Sequence, residues 1–181
     1  INYLYLPSYQ DIYNIKVEHK IYMDKFSKQL CGKFRKNHFP GVLNVVNRFL
    51  EIIKPKFIYL GLKDFQQLTL IKKHILKNKI KTNVVECKII REENGVAASS
   101  RNFSLNKKQL MIASNVYKYL HNLKKKIKKN YKYFKTNLIK DKLISFGINK
   151  IDYIECIDLK NLKRIKKNNS KFNIFIAYYI N

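Results

Sequence analysis

The sequence predicts an α/β fold in its first half and a smaller α+β region in its second. Phe57-Ile58-Tyr59-Leu60 is a short, continuous apolar run that stops at Gly61, the pattern of a parallel strand covered on both faces. A helix expected over about 65–77 and a strand over 84–90 complete a strand-helix-strand unit. Beyond Asn106 the texture changes, with two helical patterns followed by two strand patterns.

Taken in order, Tyr3-Leu4-Tyr5-Leu6-Pro7 reads as a short buried strand stopped by proline, and residues 19–26 alternate loosely enough for another strand. Over 41–53, Val42, Val45, Val46, Phe49, Leu50 and Ile53 recur at helical spacing, and Pro55 follows where a helix stop is expected. A long helix is expected from Lys107 to about Lys128, with Ile112, Val116, Leu120, Leu123 and Ile127 on its apolar side. Asn106 and Gln109 have the spacing of a capping box at its start, and the lysines over 124–129 suit a solvated helix end. A further helix is predicted over 132–146, ending at Gly147, with strands at 150–157 and 173–180.

The bulk properties narrow the partners. A chain of 181 residues is long enough for one domain or two small ones. No apolar run approaches the roughly 20 residues that cross a bilayer, and no basic-then-apolar leader is visible at the start, so neither a membrane nor export is expected. Cys31, Cys87 and Cys156 lack metal-ligand spacing, which fits free thiols in a reducing cytoplasm and no structural metal. The net charge of +26 would attract phosphate backbones at low salt. Arginine, the better reader of phosphates and bases, stands only at Arg35, Arg48, Arg91, Arg101 and Arg164. The remaining charge is lysine scattered among Ile, Asn and Tyr, as an AT-rich coding sequence produces, so nucleic acid is not the expected partner.

Three segments carry candidate chemistry. Gly61-Leu62-Lys63-Asp64-Phe65-Gln66-Gln67-Leu68 lies where a strand gives way to a helix. Ligands of open α/β sheets sit beyond such strand ends, and Lys63 with the helix N-terminus would attract an anion. Asp64 and Gln67 also have N-cap and N3 spacing, so capping the helix is an equal reading of both. Ala98-Ser99-Ser100-Arg101-Asn102 follows Gly95 and offers two hydroxyls and a guanidinium, groups suited to a polyphosphate; an ordinary polar loop is the alternative. In Lys33-Phe34-Arg35-Lys36-Asn37-His38, Arg35 suits a carboxylate and His38 a proton or hydrogen bond, although a histidine before a helix is commonly structural. No GxxxxGK[ST], CxxC or HExxH pattern occurs.

Four collinear segments, Leu6-Pro7-Ser8, Gly32 to Val42, Gly61 to Leu68 and Arg91 to Asn102, resemble the pantoate-β-alanine ligase (pantothenate synthetase) family along nearly the whole chain. The resemblance implies the later part of a Rossmann-like nucleotidylyltransferase domain over 1–89 and a small α+β domain over 90–181. It also implies ATP-dependent activation of (R)-pantoate as an acyl adenylate, then attack by β-alanine to give pantothenate and AMP. Gly61, Leu62, Lys63 and Asp64 would line the ATP site, with Ile90, Ala98, Ser99, Ser100 and Arg101. Lys63 and Arg101 would be catalytic, Gln67 would bind pantoate, and Arg35 and His38 would be further substrate contacts. Mg²⁺ would accompany the triphosphate, and a cytoplasmic homodimer is the family's usual form.

The chain departs from the family pattern at several points. The family usually carries an acidic residue where Leu62 stands, an arginine at Pro40, a glutamate at Cys31 and a methionine at Ala98. Its first strand and histidine-bearing nucleotide loop, and its final strand, correspond to nothing in this chain. Two other readings are an inactive remnant of that ligase and a basic nucleic-acid-binding module.

Overall fold

The computed structural model describes residues 2–166, 168 and 171–180. The chain divides into two compact units, Ile1–Lys88 and Ile89–Asn181, each with its own sheet.

The first unit opens with an extended segment and a single helical turn, α1 (Tyr9–Tyr13), started by a Ser8–Asp11 capping box. The buried strand expected at 3–7 does not form: Tyr3 is 94% exposed, and Leu4 and Leu6 are exposed as well. The strand expected at 19–26 is absent too. That stretch runs extended into a 3₁₀ turn at Lys25–Lys28, whose start Asp24 caps by accepting from Phe26 N. The Tyr5 ring packs edge-on against Phe49, while the chain at the end of α1 and the 19–26 stretch bond to side chains instead of to a neighbouring strand. Arg48 Nη1 donates to the carbonyls of Ile12, Tyr13 and Ile15. Asn47 Nδ2 donates to His19 O at 2.9 Å, and Tyr22 N donates to His74 Nδ1 at 3.2 Å.

Asn47 and His74 are themselves buried and joined, Nε2 to Oδ1, at 2.9 Å. Nδ1 therefore accepts and Nε2 carries the proton. Glu51 completes this anchor, accepting from both His19 N and His19 Nδ1. A short turn, α2 (Cys31–Phe34), leads to the long helix α3 (His38–Ile53). This helix begins three residues before the periodicity indicates, because Pro40 falls in its first turn, where a missing N–H costs nothing.

Strand β1 (Phe57–Gly61), helix α4 (Phe65–Lys77) and strand β2 (Asn83–Cys87) form the strand-helix-strand unit. The strands pair in parallel from Phe57↔Asn83 to Gly61↔Cys87. β2 stops at Cys87 rather than Ile90, since β1 has no residue left to pair beyond Gly61. Coverage of β1 is one-sided, against expectation: Ile58 and Leu60 turn inward, while Phe57 and Tyr59 remain exposed. Leu43 and Leu50 of α3 and Leu68, Leu70, Ile71 and Ile75 of α4 fill the unit's core.

In the second unit, α5 (Lys107–Lys129) starts at the expected capping box, Asn106 Oδ1 accepting from Gln109 N and Gln109 Oε1 from Asn106 N. Helix α6 (Thr136–Ser145) is shorter than the predicted 132–146, because Tyr131–Tyr133 forms a separate 3₁₀ turn. Strands β3 (Lys150–Asp158) and β4 (Phe172–Tyr179) pair antiparallel. Ile112, Val116, Leu123 and Ile127 of α5 join Ile139, Leu143, Ile154, Cys156 and Phe172 in one core, so the apolar face read from the sequence is the buried one. Among the described residues, no helix is long and apolar enough to cross a membrane.

Candidate active site

The residues singled out from the sequence fall into two groups, one in each unit. In the first unit, Gly61 closes β1 and a 3₁₀ turn, Leu62–Asp64, leads directly into α4. Gly61 has ordinary extended backbone (φ −74°, ψ 133°), and a Cβ added to it would meet nothing within 4 Å. Neither strain nor packing requires glycine there. Its effect is to leave the backbone at the strand end open to a ligand.

Lys63 is exposed and, among the described residues, has neither hydrogen bond nor ion pair. The capping reading of Asp64 and Gln67 is corrected: Asp64 occupies the N-cap position but accepts no hydrogen bond from the helix. Its backbone (φ −96°, ψ 50°) follows from the preceding 3₁₀ turn and differs from the extended conformation usual at a cap. Among the described residues, the side chains of Asp64 and Gln67 therefore make no hydrogen bond. Leu62 is half-buried.

The neighbouring glutamine does something the sequence reading missed. Gln66 is 6% exposed, and its Nε2 donates to Phe26 O and Gln29 O, both at 2.7 Å. It fastens α4 to the segment that leads into Cys31 and Gly32. The signal was its position four residues before Leu70 and eight before His74, on the buried stripe of the helix. Gly32 is held as tightly, since a Cβ there would lie 1.7 Å from Ser27 O.

His38, the first residue of α3, lies within electrostatic reach of two other predicted residues. Burial holds its pKa below the ordinary histidine value; the Arg35 guanidinium lowers it further and the Asp64 carboxylate opposes them. The first unit thus puts Arg35 and Asp64 within electrostatic reach of His38, whose pKa burial lowers. Pro40 and Cys31, two of the departures from the family pattern, lie respectively exposed and half-buried.

In the second unit the Ser-Ser-Arg segment ends a tight excursion of chain. Ala98 N donates to Ile90 O at 3.0 Å, Arg91 bridges Ala97, and Glu92 N donates to Val96 O. Ile90 and Ala98 are thereby neighbours despite eight residues of separation, and Ile90 is 73% exposed. Arg91 stacks its guanidinium 4.0 Å from the Tyr117 ring centroid and donates to Gly95 O. Buried Ser114 donates to Asn94 O, and Asn102 Nδ2 donates to Glu92 Oε1 and Ala97 O.

This scaffold presents Ser99, Ser100 and Arg101 at the start of a 3₁₀ turn, Ser100–Ser104. Ser99 Oγ accepts from Arg101 N at 3.3 Å, so part of its role is to cap the turn. The Ser100 hydroxyl and the Arg101 guanidinium are exposed and without partners among the described residues.

A strand-helix-strand unit with an exposed lysine at its strand end, and a braced loop offering hydroxyls and an exposed guanidinium, define an α/β protein with groups suited to an anionic ligand. The family model described as Pantoate-beta-alanine ligase matches residues 1–181, and the chain belongs to that family. The pantothenate synthetase of Flavobacterium psychrophilum is 35% identical over 98% of this chain and 64% of its own length. That of Clostridium botulinum (strain Loch Maree / Type A3) is 36% identical over 96% of this chain and 63% of its own.

Among solved structures, the pantothenate synthetase of Thermus thermophilus superposes with a TM-score of 0.83 at 22% identity, covering 96% of this chain and 64% of that one, and shows the fold. The Francisella tularensis pantoate-beta-alanine ligase, complexed with beta-gamma ATP and beta-alanine, gives a TM-score of 0.69 at 31% identity over 94% of this chain and 57% of that one. The chain thus spans about 64% of the length of the curated relatives it matches.

Proposed function

We propose that the chain takes part in the ATP-dependent condensation of pantoate with β-alanine, its first unit acting as part of a Rossmann-like nucleotide-binding domain. The observation that carries this reading is a family match over all 181 residues coinciding with side chains that the fold leaves unspent: Lys63, Asp64, Gln67, Ser100 and Arg101. The Francisella relative's complex with ATP and β-alanine supports the choice of substrates.

In the first step a pantoate carboxylate oxygen attacks the α-phosphorus of ATP, forming the acyl adenylate and releasing pyrophosphate. Negative charge grows on the phosphate oxygens as that bond breaks. Lys63 and Arg101 offset it as cationic donors, and hydroxyls of the Ser99-Ser100 pair add hydrogen bonds. Gly61, Leu62, Ile90 and Ala98 line the nucleotide. The Gln67 amide orients pantoate, and Arg35 and His38 are further substrate contacts. In the second step the neutral β-alanine amine attacks the acyl carbon, the acyl–phosphate bond breaks to release AMP, and the nitrogen's surplus proton passes to water.

Mg²⁺ fits this donor set, because the Asp64 carboxylate is a hard oxygen ligand not consumed by the helix cap. When bound it would neutralise phosphate charge. A cytoplasmic homodimer, the family's usual form, completes the reading.

The test is AMP and pantothenate formation by the purified chain, measured with all three substrates and with each omitted. Formation that needs both pantoate and β-alanine, and that falls at least about a hundredfold in Lys63→Ala and Arg101→Ala, is the expected result. Near-normal rates in both variants, or AMP release indifferent to β-alanine, would contradict it.

A further inference from the structure

A cavity of about 300 Å³ opens in the second unit between α5, the Tyr131–Tyr133 turn and α6, at the lower end of the size range of small-molecule sites. One stripe of α5 supplies Tyr119, Asn122, Leu123 and Lys126, at intervals of three and four residues that bring them to one face. Tyr133, Lys135 and Leu138 close the other side. None of these residues belongs to the group at Ile90–Arg101.

The chemistry of this lining is lopsided. Leu123 and Leu138 give it an apolar floor and mouth, and Leu138 is exposed although it is large and apolar. Two lysines, Lys126 and Lys135, line it and, among the described residues, no carboxylate does. Among the described residues, the side chains of Asn122, Lys126 and Lys135 and the hydroxyls of Tyr119 and Tyr133 have no hydrogen bond or ion pair. The Tyr119 ring is fixed edge-on against Phe146, 5.8 Å between centroids. The fold thus leaves several donors around an apolar recess without using them itself. We infer that this cavity binds a small organic anion with a flat apolar body, its carboxylate or phosphate paired with Lys126 and Lys135.

The cavity's charge, apolar floor and aromatic walls each select a part of that ligand. Two cations without a compensating acid favour an anionic headgroup. The leucine floor favours an apolar body, and two tyrosines favour a planar one. Because both lysines are exposed, attraction weakens as salt rises.

The test is titration of the ¹⁵N-labelled chain with 2-naphthoate, 2-naphthyl phosphate and the uncharged 2-naphthalenemethanol, followed by amide shifts. The expected result is saturable shifts confined to about residues 119–139, from at least one of the two anions, at millimolar affinity or better. The alcohol should bind about tenfold more weakly, and Lys126→Ala and Lys135→Ala should each weaken the anion about three- to tenfold. Lys125→Ala, one residue along the same helix, should change nothing, and the spectra report that each variant is folded. The headgroup preferred, carboxylate or phosphate, assigns the class of anion. Equal affinity for the alcohol, shifts scattered over the lysine surface, indifference to both lysine variants, or no shift at about 10 mM would overturn the inference.

Discussion

Gly95 lies directly against the ring of Tyr117: a Cβ on Gly95 would sit 2.2 Å from Tyr117 Cδ1, and its φ of +87° is one that other residues rarely adopt. The Arg91 guanidinium stacks on the same ring and bonds Gly95 O. The loop that ends in Ser99, Ser100 and Arg101 is therefore clamped to α5 through the Tyr117 ring as well as through the Ser114 hydroxyl. Gly95→Ala should destabilise the second unit by about 1–3 kcal/mol, from both the collision and the strained φ. Thermal denaturation measures it. Adding Tyr117→Ala to Gly95→Ala should cost less than the two single changes summed, because the collision is gone.

Adjacent glutamines separate structure from chemistry. Gln66→Ala removes the donors to Phe26 O and Gln29 O inside the core and should cost about 1–3 kcal/mol. Gln67→Ala removes no hydrogen bond among the described residues and should stay within about 0.5 kcal/mol of the parent, while weakening pantoate binding. Urea denaturation and pantoate titration of the two variants check this. A reversal of the two effects would mean that their roles are exchanged.

His74 is fully buried and His38 partly so, and burial is the first cause that holds both below the ordinary histidine value of 6.5. The folded chain therefore binds fewer protons at these sites than the unfolded chain. Their contribution to stability is fully present above about pH 6.5 and is lost as pH falls through the lower folded values. His74 should dominate, since a proton on Nδ1 would abolish the acceptor for Tyr22 N. Histidine ring resonances followed by NMR should give both pKa values below 6.5; titration at or above that value would contradict the prediction.

Cys156 is buried in the second core, and burial pushes its thiol up to about 12. A thiol reagent at pH 8 should label the half-buried Cys31 and Cys87 in the folded chain and reach Cys156 only after denaturant is added. Mass spectrometry of the labelled peptides decides it.

How much of this was legible in the sequence depended on whether a segment's burial came from its own pattern. The helix at Phe65–Lys77 and the Asn106–Gln109 cap are local signals, one a stripe of apolar residues and the other a pair of side chains three apart. They stand where the pattern placed them. The segments at 3–7 and 19–26 also carry apolar residues, but the first meets the α3 residue Phe49 through the Tyr5 ring and the second is held by Asn47 and His74, all from distant helices, which no local pattern reveals. The one-sided exposure of β1 was illegible for the same reason, because an apolar run does not say how many layers cover it.

In the candidate site, the side chains that point outward, Lys63, Ser100 and Arg101, were readable as a motif. The residues that brace them, Gln66, Arg91, Ser114 and Tyr117, act through backbone carbonyls and ring faces, and they emerge only once the chain is folded.

Titration of the purified chain with ATP tests most directly whether Lys63 and Arg101 hold a nucleotide's phosphates. The parent should bind ATP, and Lys63→Ala and Arg101→Ala should each weaken it about tenfold or more. Lys25→Ala, an exposed cation elsewhere in the first unit, should leave it unchanged. Equal affinity in all four proteins would contradict that role, because attraction would then belong to the general positive charge and not to these two residues.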